Sequence, residues 1–169
     1  FGGVKYKNRI AGPWKTTTVY TQGCYKRCEN CFNESLQPLE GGRELSVEQV
    51  AQDLLENTPN KKVTFCGGEP MIWARELAEL ADILHQHDFT ILCYTGYEWE
   101  ELIESEGWFK ENLPHSRELA EAVDILIVGE YIDDLHIDIE DFQFVGSGNQ
   151  RVIDVNETLK NDEVVLFDY

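Results

Sequence analysis

No part of this chain approaches the ~18–20 consecutive apolar residues of a membrane span, and no secretory leader is visible. Positive charge is in short supply: 14 Lys and Arg stand against 32 Asp and Glu, a formal net charge of −18. Nucleic acid and anionic membranes are repelled by such a balance, so neither is expected as a partner. Cysteine is sparse and odd in number, five in all, with three of them between positions 24 and 31. That is not the even, spread pattern of a disulfide-stapled secreted domain, and it points to a reducing cytoplasm. The four histidines, His85, His87, His115 and His136, show no ligand spacing within one element.

What the chain does have is a regular exchange of strand and helix signals. Thr16 to Gln22 is β-branched and aromatic and stops at Gly23. Ser46 opens a helix with Gln49 completing a capping box, and Val47, Val50, Ala51, Leu54 and Leu55 share one face. Lys62 to Cys66 reads as a strand ending at Gly67-Gly68-Glu69-Pro70. Trp73 to His87 reads as a helix with Trp73, Leu77, Leu80 and Leu84 as its core stripe. Phe89 to Tyr94 and Val123 to Val128 are further strands, ending at Thr95-Gly96 and Gly129. Glu98 to Glu106 and Ser116 to Ala122 are shorter helices between them. Asp133 to Asp141 is acidic and ambiguous. Val152 to Val155 and Val164 to Phe167 read as short strands, with residues 1–15 an irregular or edge lead-in and 156–169 a tail.

Strand–helix alternation predicts parallel pairing through right-handed crossovers. A closed eight-unit barrel needs roughly 250 residues, and this chain has 169. The expected fold is therefore α/β, a partial (β/α) barrel or curved, mostly parallel sheet, as one domain over residues 1–169. Each unusual sequence falls just past a predicted strand, the edge where α/β folds bind ligands.

The densest of these sequences is Cys24-Tyr-Lys-Arg-Cys28-Glu-Asn-Cys31. Three thiols in a C-x3-C-x2-C spacing can hold an iron–sulfur cluster with one iron left open. A zinc site completed from a distance, or three separate thiols, fits the spacing as well. Cys66 and Cys93, at strand ends, read as buried small residues. Gly67 and Gly68 would let backbone approach a ligand without a Cβ in the way; Glu69 would pair with a ligand ammonium, and Pro70 would stiffen the exit. Thr95-Gly96-Tyr97 reads as a contact for ribose hydroxyls or a carboxylate, or as an ordinary βα turn. Gly146-Ser-Gly-Asn-Gln-Arg151 reads as an anion nest or as a Gly-rich surface loop. Residues 1–27 hold six basic side chains and no acid. Lys15, Lys26 and Arg27 read as a positive collar around the cysteine loop, or as part of a basic arm that aids solubility or docks a partner.

C-x3-C-x2-C followed by a strand-end Gly-Gly-Glu-Pro resembles the radical S-adenosylmethionine superfamily. Gly23-Cys24, Cys31-Phe32-Asn33, Tyr94-Thr95-Gly96-Tyr97, Asp124 to Gly129 and Gly146 to Arg151 narrow the resemblance to anaerobic ribonucleoside-triphosphate reductase-activating proteins. Trp14, Asn30 and Val128 depart from that family's pattern. The resemblance implies a 4Fe–4S cluster on Cys24, Cys28 and Cys31. It implies S-adenosylmethionine held by Gly67, Gly68, Glu69 and Pro70, with Thr95 and Arg151 as further contacts and no catalytic residue beyond these ligands. It also implies reductive cleavage to a 5′-deoxyadenosyl radical, and a glycyl radical formed on the large subunit of the anaerobic reductase. A flavodoxin-like or ferredoxin-like electron donor follows from it. The alternatives are a radical enzyme acting on a small molecule, such as 7-carboxy-7-deazaguanine synthase, and a zinc-stabilised interaction module.

Overall fold

The computed structural model describes residues 1–137 and 144–168. Among these, six strands form one sheet, and their order in the sheet is their order in the chain. They are β1 (Gly3–Asn8), β2 (Thr16–Thr21), β3 (Lys62–Gly67), β4 (Thr90–Tyr94), β5 (Ile125–Val128) and β6 (Arg151–Asp154). β2 to β5 pair in parallel; β1 and β6 run antiparallel at the two edges. The expected mostly parallel α/β sheet is thus what the chain forms. The parallel pairs bring the C-terminal ends of β2, β3, β4 and β5 to one edge.

Helices α1 (Val47–Asn57), α2 (Ala74–His85), α3 (Trp99–Glu104), α4 (Trp108–Asn112) and α5 (Ser116–Ala122) lie between the parallel strands in sequence, and α6 (Val155–Asn161) follows β6. The capping box of α1 forms as expected: Ser46 accepts from Gln49 N–H and the Gln49 side chain from Ser46 N–H. Period-2 alternation sorts the strand side chains. Val63 and Phe65 of β3, Ile91 and Cys93 of β4, and Leu126 and Val128 of β5 join Leu54, Leu77, Leu80, Leu84 and Leu119 in the core under the helices. Each such apolar side chain stabilises the fold by about 1.5–3 kcal/mol when taken fully out of water. Leu92, Ile125 and Ile127 point the other way, against Phe144, Val145 and Val152.

Toward the β1 edge that second face turns polar, and its groups bond one another. Asn8 Nδ2 donates to Thr18 Oγ1 at 2.9 Å and Thr64 Oγ1 to the Ala11 carbonyl at 2.8 Å, while Thr16 and Thr64 hydroxyls are 3.0 Å apart. Buried polar groups persist when paired in this way.

The edge alternative for the lead-in holds, and three other expectations, for Trp73, Val164–Phe167 and Val155, are corrected. Residues 3–8 of the lead-in form an edge strand whose register with β2 shifts between Lys5 and Asn8. Trp73 is not core: it ends a 3-10 turn over Pro70–Trp73, is 37% exposed, and donates its indole N–H to the Gln22 carbonyl at 2.7 Å. Val164–Phe167 makes only an isolated bridge, Ile153 to Leu166. Val155, read as the end of a strand, opens α6, because Asp154 caps Glu157 N–H. The acidic stretch Asp133–Asp141 begins with a 3-10 turn over Asp133–Leu135, and beyond residue 137 it lies outside the described residues.

Candidate functional site

Past the C-terminal edge of the sheet lies a cavity of about 310 Å³. Cys24, Cys28 and Cys31 line it together with Gly67, Gly68, Glu69, Thr95 and Gly129. The four parallel strands therefore each deliver their terminal sequence to one place. The inner-face residues Tyr20, Cys66 and Tyr94 line the same space, and Ile10, Ala11, Phe144 and Val145 give it an apolar wall. Pro70 is buried at the start of its 3-10 turn and Arg151 lies on β6; neither lines the cavity.

The cysteine loop is seated by backbone bonds. Gly23 N–H donates to Leu36 O at 2.8 Å, Cys24 N–H to Gln37 O at 2.9 Å, and Glu69 N–H to Gly23 O at 2.7 Å. Burial, and after it the Glu69 carboxylate, push the Cys24 thiol up to about 12. Burial and Glu130 raise Cys28 as well. Cys24 also responds to Cys28 and Cys31, and Cys28 to Cys31, so the three sulfurs lie within one another's field. Among the described residues no three His, Cys, Asp or Glu side chains form a closed metal site. The thiols line a shared wall.

Gly67 and Gly68 line the cavity, and the missing Cβ of each also makes room for protein backbone. A Cβ on Gly67 would meet the Thr21 carbonyl oxygen at 2.7 Å, and the residue has φ +114°. On Gly68 a Cβ would collide with the Gly23 carbonyl oxygen and sit 2.8 Å from Leu36 O. Both missing Cβ atoms leave room for protein backbone, drawing the end of β3 against the root of the cysteine loop.

Glu69 is 2% exposed. Its Oε1 accepts from Met71 N–H at 3.1 Å and Thr95 Oγ1 at 2.9 Å, and its Oε2 from Gly96 N–H at 2.9 Å. Burial pushes its carboxyl above the usual carboxylate range, against these bonds and the Lys26 charge, which pull it down. Thr95 in turn accepts from Tyr97 N–H at 3.2 Å, so its hydroxyl is committed to fixing the β4 turn on Glu69.

The stretch from Gly146 is a clip between loops. Gln150 Oε1 accepts from Gly146 N–H at 2.7 Å and Ser147 N–H at 3.3 Å, occupying two amides that an anion nest would need. Gln150 Nε2 donates to Gly129 O and Asn149 Nδ2 to Glu130 O. Arg151 is bound by acids, at 2.8 Å from Glu98 and 2.7 Å from Glu100. Its guanidinium holds the Glu100 carboxyl below the usual range. A lowered carboxyl contributes stability at neutral pH that is lost as pH falls through the lowered value. Arg151→Met should therefore destabilise the protein by about 0.5–1 kcal/mol at pH 7, since the pair is largely exposed. Urea titrations at stepwise lower pH should show the deficit closing below the carboxylate range.

The positive collar is only partly built. Lys26 Nζ pairs with Glu130 Oε2 at 3.0 Å. Arg27 donates to the Cys24 and Gln37 carbonyls at 3.1 and 3.3 Å and so tethers the loop. Lys15 precedes β2 and the cysteines follow it. A strand of this length, roughly 20 Å, puts Lys15 at the far end, beyond the ~8–10 Å screening length. Sequence reasoning also missed Glu130, Asn30 and Asp133. Asn30 Nδ2 donates to Asp133 Oδ2 at 2.8 Å, joining the loop to residues 103 positions away. No local pattern signals such a pairing.

The sequence model of the 4Fe-4S single cluster domain matches residues 10–153. The chain belongs to that family. Among curated relatives, the pyruvate formate-lyase-activating enzyme of Clostridium pasteurianum is 26% identical over 90% of this chain and 59% of its own length. The anaerobic ribonucleoside-triphosphate reductase-activating protein of Vibrio cholerae is 26% identical over 74% of this chain and 79% of its own. The pyruvate formate-lyase 1-activating enzyme of Escherichia coli is 23% identical over 94% and 61%. The chain thus spans about three-fifths of the two pyruvate formate-lyase-activating relatives. The resemblance to activating enzymes read from the sequence agrees with all three.

Proposed function

We propose that this chain is a radical S-adenosylmethionine activase that forms a glycyl radical on the large subunit of an anaerobic ribonucleotide reductase. The observation that carries the proposal is the convergence of Cys24, Cys28 and Cys31 on one cavity wall beside Gly67, Gly68 and Glu69. The donor set fits a 4Fe–4S cluster: three thiols come from one loop, with no fourth in it, as a cluster with an open iron requires. When bound, the cluster supplies the electron that cleaves S-adenosylmethionine reductively to methionine and a 5′-deoxyadenosyl radical.

The remaining work falls to the chain. Cys24, Cys28 and Cys31 hold the metal as thiolates, each giving up a proton on loading. Glu69 keeps the ends of β3 and β4 in register around the cavity, and from that lining position it would meet a ligand ammonium. Ile10, Ala11, Phe144 and Val145 keep water from the reacting space. The Tyr94-Thr95-Gly96-Tyr97 and Gly146 to Arg151 stretches support the reductase, among glycyl radical proteins, as the partner. A flavodoxin-like or ferredoxin-like protein in the cytoplasm is the proposed electron donor. Among the described residues no helix is long and apolar enough to cross a membrane.

Protein purified without oxygen should carry about four irons and four sulfides per chain. With dithionite it should turn S-adenosylmethionine into 5′-deoxyadenosine, and with the reductase subunit it should yield a glycyl radical by electron paramagnetic resonance. Stoichiometric zinc without sulfide would replace this reading by the zinc-module one. Nucleoside formation without a radical on the reductase would redirect it to another substrate.

A further inference from the structure

Glu130 follows the β5 glycine and approaches the second thiol of the trio: its Oε1 is 3.7 Å from Cys28 Sγ. Its Oε2 takes the Lys26 ammonium at 3.0 Å, and the same ammonium stands 4.8 Å from the centre of the Tyr97 ring. Lys26 lies between two of the thiols in sequence; Glu130 lies 104 positions on. The side chains are 25% and 45% exposed, so their charges are only partly screened by water.

Other bonds already anchor both segments. Backbone contacts to Leu36 and Gln37, with the Arg27 tether, seat the cysteine loop. Gln150 on Gly129 O and Asn149 on Glu130 O hold the other side. A charge pair of zero net charge beside a thiol wall that is already anchored implicates the charges themselves.

We propose that Glu130 and Lys26 are opposed charges that set the reduction potential of a cluster held by Cys24, Cys28 and Cys31, Glu130 lowering it and Lys26 raising it. The inference rests on the proposed function. An electron accepted from a donor adds one negative charge to the cluster; a carboxylate beside Cys28 opposes it and an ammonium favours it. Cluster potentials respond to nearby charge and hydrogen bonding in this way.

The test is a redox titration of the reconstituted wild-type protein, Glu130→Gln, Lys26→Met and the double variant, each with iron and sulfide counted. At the wild-type midpoint, Glu130→Gln should raise the reduced-to-oxidised ratio about threefold or more, and Lys26→Met should lower it comparably. Threefold corresponds to about 30 mV at 59 mV per tenfold for one electron. The double variant should return near wild type, and Glu130→Asp should keep the wild-type value. If Glu130→Gln loses its cluster, Lys26→Met carries the test with the opposite sign. Unmoved potentials, or two single variants shifting in the same direction as a merely loosened site would, overturn the inference and leave the proposed function standing. A wild-type protein without iron and sulfide overturns both.

Discussion

Gly68→Ala is expected to destabilise the protein by about 3 kcal/mol, the upper end for forced overpacking, and to abolish iron retention. The added methyl would collide with the Gly23 carbonyl oxygen and lie 2.8 Å from both Gly23 C and Leu36 O. All three are backbone atoms, so no side chain can rotate away. Relief requires the end of β3 to part from the cysteine loop, breaking Glu69 N–H to Gly23 O and Gly68 N–H to Thr21 O, now 2.7 and 3.0 Å. Gly148→Ala is the matched control. Its Cβ would find Ile137 Cδ1 at 3.8 Å, ordinary contact, and should change stability by less than about 0.5 kcal/mol. Denaturant midpoints of the cluster-free proteins and iron counts after anaerobic reconstitution measure both effects. Wild-type values for Gly68→Ala would mean that the close approach of these two segments is not needed.

The second large effect concerns which thiols hold iron. Replacing Cys24, Cys28 or Cys31 by Ala should lower retained iron by roughly tenfold or more, while Cys66→Ala and Cys93→Ala should keep the wild-type content. Cys66 makes this a demanding test, because it lines the same cavity. Its position argues against ligation. It is fixed in β3, paired with Tyr20 on β2, and its field is felt at Tyr20, Tyr94 and Cys93. Cys24, Cys28 and Cys31 instead share one short loop after β2. Cys93 points to the opposite face, into the core under the helices. Full iron in Cys28→Ala, or loss of iron in Cys66→Ala, would reassign the ligand set.

Much of this arrangement could be read from the sequence because it is written locally. β2 to β5 announce themselves by β-branched and apolar runs stopped at glycine, and α1 by a capping box and a single apolar face. The site residues at those strand ends were legible for the same reason, since parallel strands bring consecutive strand ends to one edge. β1 was obscured by Gly2, Gly3 and three basic side chains within ten residues, which resemble a loop as readily as a solvent-facing edge strand. α6 was hidden because Val152 to Val155 is β-branched, and only Asp154 with Glu157 hints at a cap. The roles of Gly68, Thr95 and Gln150 were invisible for another reason. Each depends on a partner brought close by tertiary folding, such as Gly23 for Gly68 or Glu69 for Thr95, and residue type alone does not say whether a glycine makes room for a ligand or for the chain itself.

The contacts from the cysteine loop to Glu130 and Asp133 also bear on how the protein is made. Domains emerge from synthesis amino end first. At about 5–20 residues per second, the separations of 104 and 103 residues correspond to roughly 5–20 s. For that interval the nascent chain carries all three thiols without the acidic partners that later stand against them. Cys24 in particular would be open to oxidation or to a stray metal until β3 arrives with Gly68 and Glu69 to close over it. The cavity wall that carries the three thiols is thus completed late, after the far side of the sheet is in place.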